Sequence, residues 1–364
     1  MLYWLSQFRF EFFPLNIFKY ITFRAGMAAV TTFLLCVVIG PWFIRKLKEW
    51  NFGEKPVTGG GREAALGAAH YQSKQGTPTM GGILIIGSIA VSVLLWADLS
   101  NPYILLTLVT MIWLAVVGFF DDYLKISGIN KNGMSSRTKI IWQVLLAAIV
   151  SLYLYTQLHV DTTLDIPFMK KMVVDLGAGY IILVMLIVVG TSNAVNLTDG
   201  LDGLAIGCTL MVAIALSILA YITGHIAFSQ YLFIPYIPNA GELTVFCTAI
   251  IGASLGFLWF NCHPASVFMG DVGALSLGGT LGIIAVFIKK EMLLGILGGV
   301  FVWEALSVIM QVTSFKLTGK RIFLCSPFHH HLQKLDWKES KIVIRFWIVS
   351  IILVLLTLTT LKIR

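Results

Sequence analysis

The stretch PYILLTLVTMIWLAVVGFF, residues 102–120, followed directly by Asp121 and Asp122, decides the fold class. It contains no charged side chain over nineteen residues, close to the roughly 20 that an α-helix needs to cross the hydrocarbon of a bilayer. A soluble helix of this length would carry a polar face. The stretch therefore predicts a membrane-spanning helix.

The whole chain shares this apolar character. Of its 364 residues, 57% are hydrophobic and 12% are charged, against about 25% charged in soluble domains. Composition therefore excludes an ordinary soluble fold. The formal net charge of +8 suits anionic lipid headgroups, and we expect no binding to nucleic acid. The five scattered cysteines include no C-x-x-C pair and predict packing residues rather than disulfides or a zinc site.

Ten apolar runs of similar length predict an all-α integral membrane protein with ten transmembrane helices in one bundle. No linker rich in proline or serine divides them, so residues 1–364 are expected to form a single polytopic domain. Residues 1–21 mix charges with aromatic side chains and predict an interfacial segment. The runs lie near residues 23–44, 80–98, 102–120, 139–157, 176–193, 203–222, 243–260, 272–288, 292–315 and 342–361.

The lysines and arginines predict the orientation. Sixteen of the 26 lie in the odd-numbered loops between the runs, and only four lie in the even-numbered loops. Basic loops stay on the cytoplasmic side of a membrane. The odd loops, including the larger ones at 45–79 and 316–341, are therefore expected to face the cytoplasm, with both termini on the other side of the cytoplasmic (inner) membrane.

The polar motifs also lie in the odd loops or at the span ends beside them, which predicts one cytoplasmic site in a compact bundle. The motifs are KQGTPTMGG at 74–82, Asp121 with Asp122, NAVNLTDGLDG at 193–203, Asn261 followed by FMGDVG at 268–273, and PFHHH at 327–331.

Three carboxylates stand out in these motifs. Asp121 and Asp122 repel each other and would sit at the negative end of a helix dipole, so we interpret them as ligands of a hard cation or as a proton acceptor rather than as a plain helix end. Asp271 begins a span, where it would be either a helix cap or a metal ligand on a rigid helix end. The sequence leaves that choice open.

Two further motifs favour ligand binding. Asn196, Asp199 and Asp202 recur every third residue and would share one face of a helical turn, with glycines that allow close backbone approach. The consecutive histidines at 329–331 cannot all face one metal ion, which argues against a closed zinc site. One or two of them could donate to phosphate oxygens or transfer a proton.

Carboxylates beside basic side chains suit a divalent cation together with its phosphates. Because the candidate ligands are oxygens, Mg²⁺ is the expected metal. Phosphoryl transfer needs mainly positioning and charge neutralisation. The sequence therefore predicts a site where a cation holds two anionic phosphates together.

The five motifs, in this order, resemble the phospho-N-acetylmuramoyl-pentapeptide transferases (MraY, translocase I) of the polyprenyl-phosphate N-acetylhexosamine-1-phosphate transferase superfamily. The resemblance covers essentially the full length, including Arg345-Phe-Trp in the last span. It implies transfer of phospho-N-acetylmuramoyl-pentapeptide from its UDP carrier to undecaprenyl phosphate, giving lipid I and UMP, the first membrane step of peptidoglycan synthesis. It also implies a requirement for Mg²⁺, ten helices, a cytoplasmic active site and a homodimer.

The resemblance implies roles for single residues as well. Asp271 is the expected metal ligand, with Asp121 and Asp122 as catalytic residues and candidate further ligands, and His330 as a catalytic residue of the histidine loop. Phe268 could stack on the uracil ring. The candidate substrate-binding residues are Lys74, Thr79, Lys125, Lys139, Asn196, Asp199, Asp202, Asn261, Phe268, His329 and His331.

One departure and two alternatives accompany this interpretation. Residues 56–70 form an insertion longer than expected for the family. A sister enzyme that uses UDP-N-acetylglucosamine would have the same chemistry, and only the histidine loop and the overall likeness favour the muramoyl substrate. A proton-coupled transporter would place its carboxylates near the bilayer midplane; here only Glu304 and Arg345 stand out as ionisable residues within spans.

Overall fold

Helices form nearly all of the structure, a computed structural model that describes residues 2–10, 13–50, 52, 76–130, 133–158, 160–165 and 173–362. The α-helices are α1 (Ile21–Glu49), α2 (Gly82–Trp96), α3 (Pro102–Ser127), α4 (Ser136–Thr156), α5 (Gly179–Thr198), α6 (Leu204–Thr223), α7 (Ile226–Leu232), α8 (Leu243–Asn261), α9 (Gly270–Phe287), α10 (Glu291–Leu297), α11 (Gly299–Thr318), α12 (Phe328–Lys334) and α13 (Glu339–Thr359). Short 3-10 helices cover Leu2–Phe10, Phe13–Lys19, Ala240–Glu242 and Thr360–Lys362.

The predicted all-α, multi-pass class is confirmed. Among the described residues, nine helices are long and apolar enough to cross a membrane. The predicted run near 80–98 forms only the 15-residue helix α2, which spans roughly 22 Å at 1.5 Å per residue, short of a hydrocarbon core of about 30 Å. The run near 292–315 is divided into α10 and α11 at Gly298.

Helix α9 lies at the centre of the bundle. Every residue from Val272 to Phe287 is buried, and α9 packs against α3 and α5. Its glycines allow this closeness, since a Cβ on Gly278 would lie 2.5 Å from the carbonyl oxygen of Thr191 in α5. Small residues let membrane helices approach each other in this way. Helix α9 is therefore surrounded by protein rather than by lipid.

The antiparallel packing of α5 and α9 brings two motifs to the same end of the bundle. The hydroxyl of Ser192 donates to the carbonyl oxygen of Leu275 (3.0 Å), while the preceding Thr191 lies beside Gly278 and Gly282 further along α9. The C-terminal end of α5 therefore lies beside the N-terminal end of α9. Asp199, just after α5, and Asp271, in the first turn of α9, occupy this one end.

The opposite end is held by buried charges and a small sheet. Arg24 of α1 forms a buried ion pair with Glu242, whose Oε1 also accepts the N–H of Asp98 (2.7 Å). The strands β1 (Thr163–Asp165) and β2 (Val173–Asp175) pair antiparallel between α4 and α5. The sequence patterns did not predict this hairpin, because three-residue strands are too short to show a period.

Candidate active site

Asp121 and Asp122 of α3 meet Asp271 of α9. One carboxylate oxygen from each lies within 4.8 Å of the other two. Gly118 makes the approach possible, since a Cβ there would lie 2.3 Å from the carbonyl oxygen of Asp271. The three carboxylates, which we call the aspartate cluster, come from motifs about 150 positions apart in the chain.

Helix α3 continues beyond its apolar run, so Asp121 and Asp122 do not lie at the negative end of its dipole, where the sequence was expected to place them. The helix runs to Ser127 and ends at Gly128, which has a left-handed backbone with φ +76°. Both carboxylates therefore lie inside the helix, where Lys125 is spaced at i+4 and i+3 from them. Ion pairs at this spacing stabilise a helix, which explains why it does not stop at the first charge.

Two lysines that were predicted to bind substrate lie between the carboxylates. The Lys125 ammonium is 2.5 Å from Asp121 Oδ2 and 3.2 Å from Asp271 Oδ2. The Lys139 ammonium, from the start of α4, is 2.6 Å from Asp271 Oδ2 and 3.2 Å from Asp121 Oδ2. Three carboxylates face two ammonium groups, so the group keeps an excess of negative charge when all are ionised.

Backbone groups orient two of the carboxylates. The N–H of Met134 donates to Asp121 Oδ1 (2.8 Å), and the N–H of Val272 donates to Asp122 Oδ2 (3.3 Å). Gly270, with φ +72°, leaves the space that Asp122 occupies, because a Cβ there would lie 2.5 Å from Asp122 Oδ2 and 3.0 Å from Thr79 Oγ1. Thr79 is thereby placed beside the aspartate cluster.

The structure also bears on the two interpretations of Asp271. The N-cap of α9 is Met269, which makes no side-chain capping hydrogen bond, and Asp271 lies in the first turn with its Oδ2 facing the two lysines. Asp271 is therefore not the N-cap. The positive end of the helix dipole still favours its negative charge.

The loop before α2 pairs with the loop before α9. The N–H of Phe268 donates to the carbonyl of Pro78, and the N–H groups of Gly81 and Gly82 donate to the carbonyls of Phe268 and Met269, each at 2.8 Å. This pairing holds Phe268 close to Thr79 and the aspartate cluster. Lys74, also predicted to bind substrate, and the insertion at 56–70 lie outside the described residues.

The expected helical row of Asn196, Asp199 and Asp202 does not form. Helix α5 ends at Thr198, and Asp199 has ψ 54°, outside the helical region. The backbone therefore leaves the helix before Asp202, and Gly203, with φ +78°, makes a further turn after it. We call residues 199–203 the aspartate loop.

Asp202 and Asn261 brace the aspartate loop. Asp202 is buried, and its Oδ2 accepts the N–H of Ala265 (3.1 Å) and lies 3.0 Å from His263 Nδ1, while its own N–H donates to Glu339 Oε1 (2.8 Å). Asn261 is buried and accepts the N–H of Gly203 (3.0 Å). Their predicted contact with substrate stays a prediction, but both side chains are occupied by protein groups.

Asp202, His263 and Glu339 form a second group whose ligand atoms lie within 4.8 Å of one another. In the structure these residues bond to each other and to backbone. They tie α13 and the loop after α8 to the aspartate loop.

The three histidines diverge, as expected for consecutive residues. His331 Nδ1 accepts the N–H of Leu324 (3.2 Å). His330 is half-buried, with Nδ1 2.7 Å from Gln333 Oε1. His329 is completely buried against Glu304 of α11. Of the three, His330 and His331 retain some exposure.

Sequence reasoning missed several residues that shape this region. Met134 acts through its backbone N–H, which no side-chain pattern reveals. His263 lies in the loop after α8 and Glu339 in the first turn of α13, and neither belongs to a distinct motif. Glu304 did carry a signal, since an ionisable residue inside an apolar span usually has a function or a partner, but the sequence did not identify His329 as that partner.

The aspartate cluster fits a hard divalent cation. Its donors are all carboxylate oxygens, which Mg²⁺ prefers. Asp121 Oδ2 is buried and accepts no hydrogen bond of regular geometry from the described residues, although two ammonium groups lie within 3.2 Å of it. Lysine charge rather than hydrogen bonding thus neutralises this oxygen, and a metal ion could replace that charge.

Comparison with known families agrees with the geometry. The sequence profile of glycosyl transferase family 4 matches residues 104–289, just over half of the chain, and this region holds the whole aspartate cluster. Signature 1 of phospho-N-acetylmuramoyl-pentapeptide transferase matches residues 74–86, which include Thr79 and the start of α2. The chain therefore belongs to glycosyl transferase family 4 and, within it, to the phospho-N-acetylmuramoyl-pentapeptide transferases.

Proposed function

We propose that this transferase, which moves phospho-N-acetylmuramoyl-pentapeptide from its UDP carrier to undecaprenyl phosphate, does so at the aspartate cluster with the help of Mg²⁺. One observation carries the proposal: three carboxylates and two lysines from separate helices converge beside the segment that bears the family signature. The products are lipid I and UMP.

Asp271 is the proposed principal metal ligand, with Asp121 and Asp122 next to it. A bound Mg²⁺ would supply positive charge that neutralises and orients phosphate oxygens. Lys125 and Lys139 would then be released to donate to those oxygens. A lysine ammonium suits this exchange because it is a compact charge on a flexible stem, and the Lys125 side chain is still 39% exposed.

The acceptor phosphate would approach along α3. Phe119, Phe120 and Tyr123 are exposed on this helix, in the same turns as the buried Asp121 and Asp122. Aromatic side chains of this kind are enriched at the level of the lipid headgroups. A membrane lipid held there would have its phosphate at the depth of the carboxylates, and either carboxylate could accept the remaining proton of that phosphate.

The nucleotide-sugar would occupy the other side of the aspartate cluster. Phe268 is half-buried beside Thr79, a position in which its ring could stack on uracil. Asn196, Asp199, His330 and His331 are the further candidates for this side, with Lys74 expected from the sequence. Because Asp202 and Asn261 brace the loop, their proposed contribution is to hold Asp199 in place.

The proposed setting is the cytoplasmic membrane, with the site facing the cytoplasm. Support comes from the basic odd-numbered loops, which also supply Lys139 to the site. The proposed functional unit is a homodimer. Light scattering on detergent-purified protein should give a protein mass of two 40.2 kDa chains, and a single-chain mass would refute the dimer.

The substitution Asp271→Asn tests the proposed metal site. It should abolish both UMP release at any Mg²⁺ concentration and binding of Mn²⁺ as a spectroscopic probe, while the protein keeps its elution volume and melting temperature. The control Asp175→Asn removes an exposed carboxylate on the hairpin and should leave UMP release and Mn²⁺ binding unchanged. Wild-type turnover by Asp271→Asn would remove Asp271 from the site.

The sugar specificity needs a separate assay. UMP release should occur with UDP-N-acetylmuramoyl-pentapeptide and undecaprenyl phosphate. Release only with UDP-N-acetylglucosamine would identify the sister activity instead.

A further inference from the structure

Glu304 is an isolated carboxylate in α11, and its side chain is completely buried. Its partner is His329, also completely buried, in the short helix α12. A buried pair of polar side chains adds little net stability compared with well-packed apolar side chains. Stability alone therefore does not account for a glutamate at this position, so the contacts of Glu304 must indicate its role.

Glu304 caps α12 from a neighbouring helix. Its Oε1 accepts the backbone N–H of His329 (3.1 Å), the second residue of α12. The first N–H groups of a helix have no acceptor within the helix, and a carboxylate there also interacts favourably with the helix dipole. A seven-residue helix is marginal by itself. Glu304 therefore helps to decide where α12 begins.

The same carboxylate contacts the ring of His329, although the two make no hydrogen bond of regular geometry. Glu304 Oε2 lies 3.1 Å from His329 Nδ1, while the other side of the ring packs on Gly200 of the aspartate loop. A Cβ on Gly200 would lie 2.3 Å from His329 Nε2. The ring thus fills the space that glycine leaves free, and the contact runs from α11 through α12 to the aspartate loop.

We propose that Glu304 and His329 are positioning residues that hold the aspartate loop in its nucleotide-binding conformation, and that His329 does not itself contact substrate. His330 and His331, the next two residues, are partly exposed and stay the proposed substrate contacts of this helix. This inference rests on the proposed nucleotide-binding role of the aspartate loop. It does not involve the aspartate cluster, so metal binding provides an independent readout.

The substitution Glu304→Gln keeps the shape of the side chain and an acceptor for the N–H of His329 but removes the charge. Loss of a charged hydrogen bond should raise the KM for UDP-N-acetylmuramoyl-pentapeptide about tenfold. The KM for undecaprenyl phosphate and the affinity for Mn²⁺ should stay unchanged. A purely structural role would change both KM values together.

A double-mutant cycle between Gly200 and His329 tests the contact without altering Glu304. Gly200→Ala should raise the nucleotide KM about tenfold or more, because the new methyl group displaces the ring. In a His329→Ala background the same substitution should change this KM less than about twofold, since the obstacle is gone. The control Gly190→Ala, in α5, adds a Cβ with no atom within 4 Å and should have no effect.

The outcomes separate the inference from the proposed function. If Asp199→Asn raises the nucleotide KM while Glu304→Gln does not, or if the effects of Gly200→Ala and His329→Ala multiply independently, the positioning role is refuted and the role of the loop stands. If Asp199→Asn leaves the nucleotide KM unchanged, the aspartate loop does not bind the nucleotide, and both proposals for it fail. If Glu304→Gln does not fold, the Gly200–His329 cycle decides.

Discussion

Replacing Lys139 by methionine should tighten metal binding while it slows the reaction. In the structure the Lys139 ammonium lies 2.6 Å from Asp271 Oδ2 and 3.2 Å from Asp121 Oδ2, so an incoming cation must displace it. The Lys139 and Asp271 side chains are only 15% and 13% exposed, so bulk salt screens the pair weakly. Methionine keeps the length of the side chain and removes only its charge.

The expected magnitude follows from the contact that the metal no longer has to break. A hydrogen bond between charged groups contributes about 1.5–3 kcal/mol, and every 1.4 kcal/mol is about tenfold in affinity. The Kd for Mn²⁺ should therefore fall at least about tenfold in Lys139→Met. UMP release should fall as well, because Lys139 can no longer reach the phosphate oxygens.

The assay is a Mn²⁺ titration of detergent-purified protein followed by electron paramagnetic resonance, without substrates. The matched control is Lys46→Met, which removes a lysine paired with Glu49 on the exposed surface of α1 and should leave the Mn²⁺ affinity unchanged. An unchanged or weakened affinity in Lys139→Met would show that the lysine does not compete with the metal. A tighter Mn²⁺ affinity in both Lys139→Met and Lys46→Met would show that the effect comes from the lower net charge and not from the position of Lys139.

Three further predictions concern packing, the aspartate loop and orientation. Gly82→Ala would place a Cβ 2.1 Å from the backbone nitrogen of Gly273. It should lower the free energy of unfolding by about 1–3 kcal/mol or more, measured by thermal unfolding, and abolish UMP release. A wild-type melting temperature would contradict this packing. Asn261→Ala leaves the N–H of Gly203 without its acceptor. It should lower the free energy of unfolding by about 1–3 kcal/mol, measured by thermal unfolding. An unchanged stability would mean that Asn261 does not brace the aspartate loop. Cys262 is exposed next to the site, which is predicted to face the cytoplasm. A membrane-impermeant maleimide should therefore label it in inside-out vesicles and not in right-side-out vesicles, with Cys262→Ser as the control. The reverse labelling pattern would refute the predicted orientation.

The sequence could predict those parts of the site that depend on local chemistry. Asp121, Asp122 and Asp271 were recognisable because charged side chains at the ends of apolar spans are costly without a role. Lys125 and Lys139 were implied by the family resemblance as substrate-binding residues. All five lie together in the structure.

The sequence misjudged the residues whose role depends on where the backbone turns. Asp202 was expected to share a helical face with Asn196, but the helix ends at Thr198 and Asp202 contacts His263 instead. The family resemblance implied that His329 binds substrate, and the sequence could not show that its ring is buried against Glu304. In both cases the type of side chain indicated a polar role, but the sequence did not predict which groups the side chain contacts.

The sequence by itself determined that this is a helical membrane protein and which loops share a side, because lipid requires long apolar runs and basic residues stay in the cytoplasm. Only the tertiary structure decided which polar residues meet. Helix α9 brings Asp271 against Asp121 through the glycines at 118 and 270, and α11 brings Glu304 to His329. Such contacts join residues far apart in the chain, so no local pattern can contain them.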